Sequence, residues 1–338
     1  YKKVFKLNDK EDDLSLFSIG DVYINREKPE TAFKNFKNLF NKADITFGNL
    51  EAALTDKNNP SEARILPMKA DPKMILGFIE GGIDIVTLAN NHTTDFGPGG
   101  LMDTVETVEN NDITQVGAGS NFEDAHKAKI ITKNNVRVAF LGYECTIWSF
   151  GGKAKQSIPG VSKINVSGLL PEPHVDKLDY EDMKEDIRKA KNKADAVVVS
   201  FHFGLAPFST LASHQPFLAH EAIEEGADVI IGHHPHRLQE IEVYKGKLIC
   251  YSLGNFIFDN MFRYPQTSLI VETKFTKKGL KDAFLYPVFI DKSEDGLHEP
   301  HIAEKEEYQI VLSEIKKLSK DSKVGFVDEG NKIKVILD

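Results

Sequence analysis

The sequence predicts an α/β fold with layered packing, and three features carry that expectation. Short apolar runs of strand length alternate with segments whose apolar residues recur at helical spacing. The 338 residues are 41% hydrophobic and 28% charged, ordinary values for a globular chain with a core of useful size. Several of the apolar runs end on an acid, an amide or an imidazole, as strands do when they deliver side chains to a shared rim.

Residues 1–13 are charged and without period, a lead-in. The run 14–19 (LSLFSI) is a strand that stops at Gly20-Asp21. Over 29–42, Phe33, Phe36, Leu39 and Phe40 stand at helical spacing. A second strand at 45–47 leads into Gly48-Asn49-Leu50-Glu51, and 55–70, with Asn58-Asn59-Pro60, reads as a loop. Pro72 opens a helix at a first-turn position and Gly81-Gly82 close it. The strand 83–88 ends on Ala89-Asn90-Asn91-His92, and a glycine-rich turn at 96–100 leads into a helix over 101–109. A strand at 136–141 is followed by an irregular, insertion-like stretch over 146–173. The strongly charged helix 180–193 presents a solvated face. The apolar strand 196–200 ends on Phe201-His202-Phe203-Gly204, and a helix at 215–225 precedes strands at 229–231 and 248–253. Antiparallel-type strands at 268–275 and 283–290, a helix at 301–318 and a short strand at 332–337 complete the chain. Residues 1–290 are expected to form one domain, with 291–338 packed on it as an extension, because no linker-like composition precedes the tail.

A formal charge of -9 argues against a nucleic-acid partner. No apolar run reaches the length of a membrane span. Cys145 and Cys250 lie beside apolar runs and are expected to be buried free thiols. The chain starts at Tyr1 rather than methionine, so a processed form is expected, with any N-terminal anchor upstream of it.

The richest stretch is 227–259. His233, His234 and His236 leave a strand through Gly232, and Pro235 stiffens the turn. Imidazole is the commonest metal ligand at neutral pH. A His-rich surface turn is the plain alternative, but Asp21, Glu51, Asn91-His92 and His202 also stand at strand ends. If these strands share one sheet, all of these side chains line one rim. Two carboxylates, an amide oxygen and three or more imidazoles suit a pair of divalent ions, which can clamp a phosphoryl group and activate water. Polar loops explain any one of these strand ends, not five together.

The order GD, GNLE, LANNH with a following D-x-G turn, HFG, GHHPH and YSLGNF resembles the CapA family of bacterial poly-γ-glutamate capsule biosynthesis proteins, within the calcineurin-like metallophosphoesterase superfamily. The resemblance covers roughly residues 14–259. It implies a metallophosphoesterase-like layered sandwich, two β-sheets flanked by helices. It further implies one or two divalent ions (Mn, Zn or Fe) held by Asp21, Glu51, Asn91, His202, His234 and His236, with Glu51 in the bridging place and His92 as the catalytic acid. His233 is an alternative to His234, and otherwise, with Arg26 and Asn255, a candidate contact to an anionic substrate. The superfamily's usual D-x-H is here Asp21-Val22-Tyr23, one imidazole short.

The implied function is a metal-dependent, phosphoesterase-like hydrolase of poly-γ-glutamate capsule synthesis or export, with metal-bound hydroxide as nucleophile. Its substrate is a phosphoester or the polyglutamate itself. The alternative is a non-catalytic, metal- and polymer-binding assembly factor for membrane capsule-synthesis proteins. Either way the implied location is the extracellular face of the bacterial membrane. His126, His174, His214, His220, His298 and His301 belong to no motif and are expected to be exposed or structural, with His214 nearest the rim. Trp148 and Phe150 offer an apolar lid or loop packing. The glycine turn at 97–100 is neither a Walker nor a Rossmann pattern.

Overall fold

The computed structural model describes residues 13–62, 66–147, 152–167, 174–259, 265–293, 295–322 and 324–338. The strand Leu14–Tyr23 shows how the core is divided. Leu14 and Leu16 face one apolar cluster while Phe17 and Ile19 face another, the two-residue alternation of a strand. Val136–Thr146 repeats the pattern, with Val138 and Phe140 on the shared cluster and Ala139 and Leu141 on a third. The shared cluster lies between two sheets, and the other two lie under helices. The layers therefore run helix, sheet, sheet, helix, the predicted sandwich.

The first sheet has ten strands. Its main path runs Gly325–Asp328, Ile333–Ile336, Gly279–Lys292, Thr267–Thr276, Leu14–Tyr23, Ile45–Leu50, Ile85–Thr87, Thr114–Val116. Asn255–Phe258 also pairs with Leu14–Tyr23, and His298–Ile302 with Gly279–Lys292. The second sheet has six strands, in the order Ile241–Tyr244, Lys247–Cys250, Val229–His233, Ala196–Gly204, Val136–Thr146, Lys129–Lys133. Pairing from Leu14–Tyr23 through Thr114–Val116 is parallel, as it is from Val136–Thr146 through Lys247–Cys250. Within each sheet, then, the motif-bearing strands end at one side.

Several elements differ from the sequence expectation. The helix over 29–42 is instead a tight turn, Pro29–Thr31, and a short helix, Lys37–Phe40. Phe33 and Phe36, three apart, both pack on Phe256, with ring centroids 5.9 and 4.8 Å away, and three-residue turns align such a pair. Six strands of the two sheets escaped prediction: Thr114–Val116, Lys129–Lys133, Ile241–Tyr244, Asn255–Phe258, His298–Ile302 and Gly325–Asp328. The first three are short and partly exposed at or near sheet edges, so their sequences carry weak apolar signals. The stretch 146–173 contributes the strand Gly160–Val161, paired with Ala118–Gly119; Trp148 and Phe150 lie outside the described residues.

The charged helix, Lys177–Lys191, buries Met183, Ile187 and Ala190 while Lys184 and Arg188 pair with Glu225 beyond the helix His214–Glu224. In the tail, the helix Lys305–Leu318 buries Tyr308, Val311, Leu312 and Ile315, and Ile333–Ile336 pairs with Gly279–Lys292.

Candidate metal centre

The motif-bearing strands do not share one sheet. Asp21, Glu51 and Asn91 come off the first sheet; His202, His233, His234 and His236 come off the second. They meet because the parallel parts of both sheets deliver their carboxyl ends to the same place. Register sharpens the meeting: Asp21 lies opposite Asn49 and Asn255 on its two neighbours, and His202 opposite His233. Two glycines permit the close approach. A Cβ on Gly20 would stand 2.0 Å from the Gly254 carbonyl oxygen, and one on Gly232 2.0 Å from that of Tyr251.

Asp21 is fully buried and heavily bonded. Its Oδ1 accepts from Asn49 Nδ2 at 2.9 Å and from His233 Nδ1 at 3.0 Å, while Oδ2 lies 3.4 Å from His236 Nδ1. Burial alone would raise its pKa, but His233 and His236 outweigh burial and hold it well below the usual carboxylate range. Glu51, also fully buried, accepts from Asn49 Nδ2 at 3.2 Å through Oε2. Its Oε1 lacks a hydrogen-bond partner among the described residues and faces His202 Nε2 at 3.6 Å and His236 Nε2 at 3.7 Å. Burial, then the charges of Asp21 and Asp95, push the Glu51 carboxyl well above its usual range.

His202 and His234 are held neutral, the form that ligates. Burial and the charge of His234 push His202 well below its ordinary value, and burial and His236 push His234 down to about 3. His234 Nδ1 is buried without a partner among the described residues. His234 and His236 hold left-handed backbone conformations, φ 98° and 56°, which non-glycine residues adopt at a cost commonly met at functional sites.

The donors form two groups that could each hold an ion: Asp21, Glu51 and His236; and Glu51, His202 and His234. Glu51 belongs to both. Asn91 Oδ1 lies 2.7 Å from His202 Nε2 and so adds an amide oxygen to the second group. Neutral imidazoles, an orphaned carboxylate oxygen and crowded acids together fit divalent cations.

At the rim, partly exposed His92 donates from Nδ1 to Asp95 Oδ2 at 2.7 Å. Asp95 is buried and also accepts from Met68 N at 2.8 Å, so it fixes the imidazole's orientation.

The three expected substrate contacts are placed differently. Arg26 is buried, donating to both oxygens of Asp259 at 2.7 and 2.8 Å and to the His298 carbonyl at 2.8 Å, so its charge is spent on a structural pair. His233 is fully buried behind Asp21. Asn255, 1% exposed, accepts from His236 Nδ1 at 2.8 Å. His233 and Asn255 therefore position other site residues, the role of outer partners around ligating groups.

Sequence reasoning passed over four residues. Asn49 gathers Asp21, Glu51 and His202 around one amide, and Asn90 Nδ2 donates to Asn49 Oδ1 at 3.0 Å. Both sat inside quoted motifs, as did Asp95. Arg237 directly follows His236, is half-buried, and has a buried Nε without a partner among the described residues. Tyr23, where an imidazole was missing, donates its hydroxyl to the Lys69 carbonyl at 3.2 Å.

Several histidines outside the motifs are engaged by neighbouring groups. His126 pairs with Asp186, His220 with Glu242 and His301 with Glu307, and His214 Nε2 accepts from Gly204 N at 3.1 Å. Cys145 and Cys250 are buried free thiols, and burial raises both above their ordinary value.

Residues 15–260 match the family described as bacterial capsule synthesis protein PGA_cap, well over half of the chain. The chain is 32% identical over 294 residues to the capsule biosynthesis protein CapA of Bacillus anthracis, covering 82% of this chain and 68% of that one. It is 29% identical over 344 residues to the PGA biosynthesis protein CapA of Bacillus subtilis, covering 97% and 83%. A crystal structure of a hypothetical protein from Thermus thermophilus aligns over 86% of this chain and 99% of that one, at 13% identity and a TM-score of 0.47. With motifs, sandwich and relatives in agreement, the chain belongs to the bacterial capsule synthesis protein family PGA_cap, the CapA family.

Proposed function

We propose that this protein is a metal-dependent hydrolase of phosphoester or related bonds that serves poly-γ-glutamate capsule synthesis at the cell surface. One observation carries the reading: two donor groups share Glu51, and the Asp95-backed His92 stands at their rim. Asp21, Glu51 and His236 would hold one ion; Glu51, His202, His234 and Asn91 would hold the other. Bound there, divalent ions supply Lewis acidity toward an oxyanion and lower the pKa of water. Asn49 and His233 keep Asp21 aimed, and Asn255 does the same for His236. His92 has Nδ1 committed to Asp95 and Nε2 3.3 Å from Asn91 Nδ2, and as the imidazolium it would pass the Nε2 proton to the leaving group. Arg237 is the arginine beside the cluster without a carboxylate partner among the described residues, and it suits an anionic substrate.

The capsule assignment is supported by the family and by the likeness to the two Bacillus CapA proteins. We place the protein with membrane capsule-synthesis proteins as partners; no helix among the described residues is long and apolar enough to cross a membrane.

The second reading, a metal-holding assembly factor without turnover, draws on Tyr23. Its hydroxyl points to a carbonyl, so the Asp21 group offers one imidazole, that of His236, and would hold an ion more weakly.

Elemental analysis of chelator-free protein, beside assays on an aryl phosphate, a phosphodiester and oligo-γ-glutamate, separates the two. About two ions per chain, with turnover lost and metal kept in His92→Ala, supports the hydrolase. One ion and no turnover in any added metal supports the assembly factor, and no metal at all refutes the centre.

A further inference from the structure

Beneath the metal centre, the space between the two sheets is lined mostly by apolar side chains. Three polar ones interrupt it just below the donors, and strand alternation places them there. Ser18 follows Leu14 and Leu16 on the inner face of the first sheet. On the inner face of the second, Ser200 follows Ala196 and Val198, and His233 follows Val229 and Ile231. Ser18 and His233 are 0% exposed and Ser200 1%. The Oγ of each serine and the Nε2 of the histidine are buried without a hydrogen-bond partner among the described residues.

Pairing register draws the three together. Ser18 lies opposite Phe47 on the neighbouring strand, and the Phe47 ring is 6.2 Å from that of His233, centroid to centroid. Ser200 lies opposite Ile231, two residues before His233. Asp21, three residues after Ser18, accepts from His233 Nδ1 at 3.0 Å, so the strands bearing Ser18 and His233 meet across the gap. With Nδ1 donating to Asp21, the neutral ring has a lone pair on Nε2 that needs a donor. Neither serine reaches it directly, and each hydroxyl hydrogen lacks an acceptor. Buried polar atoms that protein groups leave unmatched are met by internal water, which takes about three such bonds. Two hydroxyls and one imidazole nitrogen supply that number.

We infer that one internal water is a fixed part of the centre, bonded to Ser18 Oγ, Ser200 Oγ and His233 Nε2. The water gives one hydrogen to Nε2 and the other to one serine oxygen, and it accepts from the second hydroxyl. It thereby holds the His233 ring in the tautomer and tilt that aim Nδ1 at Asp21. Ser18 and Ser200 are then positioning residues, acting on the Asp21 carboxylate through the water and His233. Outer partners of this kind set how well a ligand holds its ion. The inference rests on the metal centre proposed above.

The test compares the full chain with Ser18→Ala, Ser200→Val and Ser200→Thr. Valine and threonine share a shape and differ in the hydroxyl, so the last two variants separate bonding from packing. In metal-free protein, water–protein NOEs should place a long-lived water against the Ser18 and Ser200 side chains. Long-range nitrogen NMR should show an unprotonated His233 Nε2, displaced in Ser18→Ala and Ser200→Val but not in Ser200→Thr. Calorimetric titration with Mn2+ should give affinity about tenfold weaker in Ser18→Ala and Ser200→Val, and near the parent's in Ser200→Thr. Absence of a bound water at the serines, or an Nε2 resonance indifferent to all three variants, would overturn the inference. So would undiminished Mn2+ affinity in Ser18→Ala and Ser200→Val, or equal losses in Ser200→Val and Ser200→Thr, which would show a packing role. A parent that binds no Mn2+ would refute the centre instead, and the metal-free readouts would still decide the water.

Discussion

Glu51→Gln tests the centre most sharply, because Glu51 is common to both donor groups. Burial and the charges of Asp21 and Asp95 push its carboxyl well above the ordinary range, so without a cation the neutral amide copies the acid it replaces. Glutamine can also keep the contact from Asn49, now 3.2 Å to Oε2. The metal-free variant should therefore melt within a few degrees of the parent. Metal binding should suffer badly. A unit charge acting across about 4 Å at an effective dielectric of about 20 is worth roughly 4 kcal/mol, and each 1.4 kcal/mol is about tenfold. Each ion should then bind on the order of a thousandfold more weakly. In the parent, an ion at about a hundred times its dissociation constant adds about 2.7 kcal/mol, roughly 5 °C in a chain of this size. Calorimetric titration with Mn2+ or Zn2+ and paired melts with and without metal measure both effects. If Glu51→Gln keeps one ion at parental affinity, Glu51 does not bridge. If it keeps both, the two-group centre is wrong.

Further outcomes follow from the same geometry. Asp95→Asn should lower turnover about 10- to 100-fold while metal content is unchanged, because it removes the orienting partner of His92 rather than a ligand; loss of metal would contradict that role. Asn255→Ala should weaken metal binding about 10- to 100-fold by freeing His236, and unaltered affinity in calorimetry would count against it. Gly232→Ala should cost about 3 kcal/mol or more in urea unfolding, because its new Cβ would stand 2.0 Å from the Tyr251 carbonyl oxygen. His298 is held neutral by burial and by the charges of Lys292 and Arg26, which lower it to about 3. Below pH 6.5 the unfolded chain takes up a proton that the folded one refuses, so stability falls with pH, by about 2 kcal/mol near pH 5. His298→Gln should flatten the melting-temperature profile between pH 6.5 and 4, and an unchanged slope would exclude this histidine as the cause.

Much of the centre could be read from the sequence because its ligands are consecutive with strand ends. An apolar run that stops at Gly20-Asp21, or at Gly232 before His233, announces both the strand and what it delivers. The layered α/β class followed from the same runs. Short strands such as Lys129–Lys133 escaped because an exposed edge needs little apolar sequence, and the helix expected over 29–42 gave way to turns that stack phenylalanines on Phe256.

Residue type and spacing determined which donors were available and that they suited divalent ions. Only the tertiary structure decided their division into roles. Arg26 looked free until Asp259, 233 positions away, met it in the fold. His233 and His234 are neighbours in sequence, yet one supports Asp21 from behind and the other joins Glu51 and His202. The split comes from a left-handed turn at His234 and from two sheets converging on the same point. Local sequence sets the chemistry of each side chain, whereas the company it keeps depends on contacts between strands hundreds of residues apart.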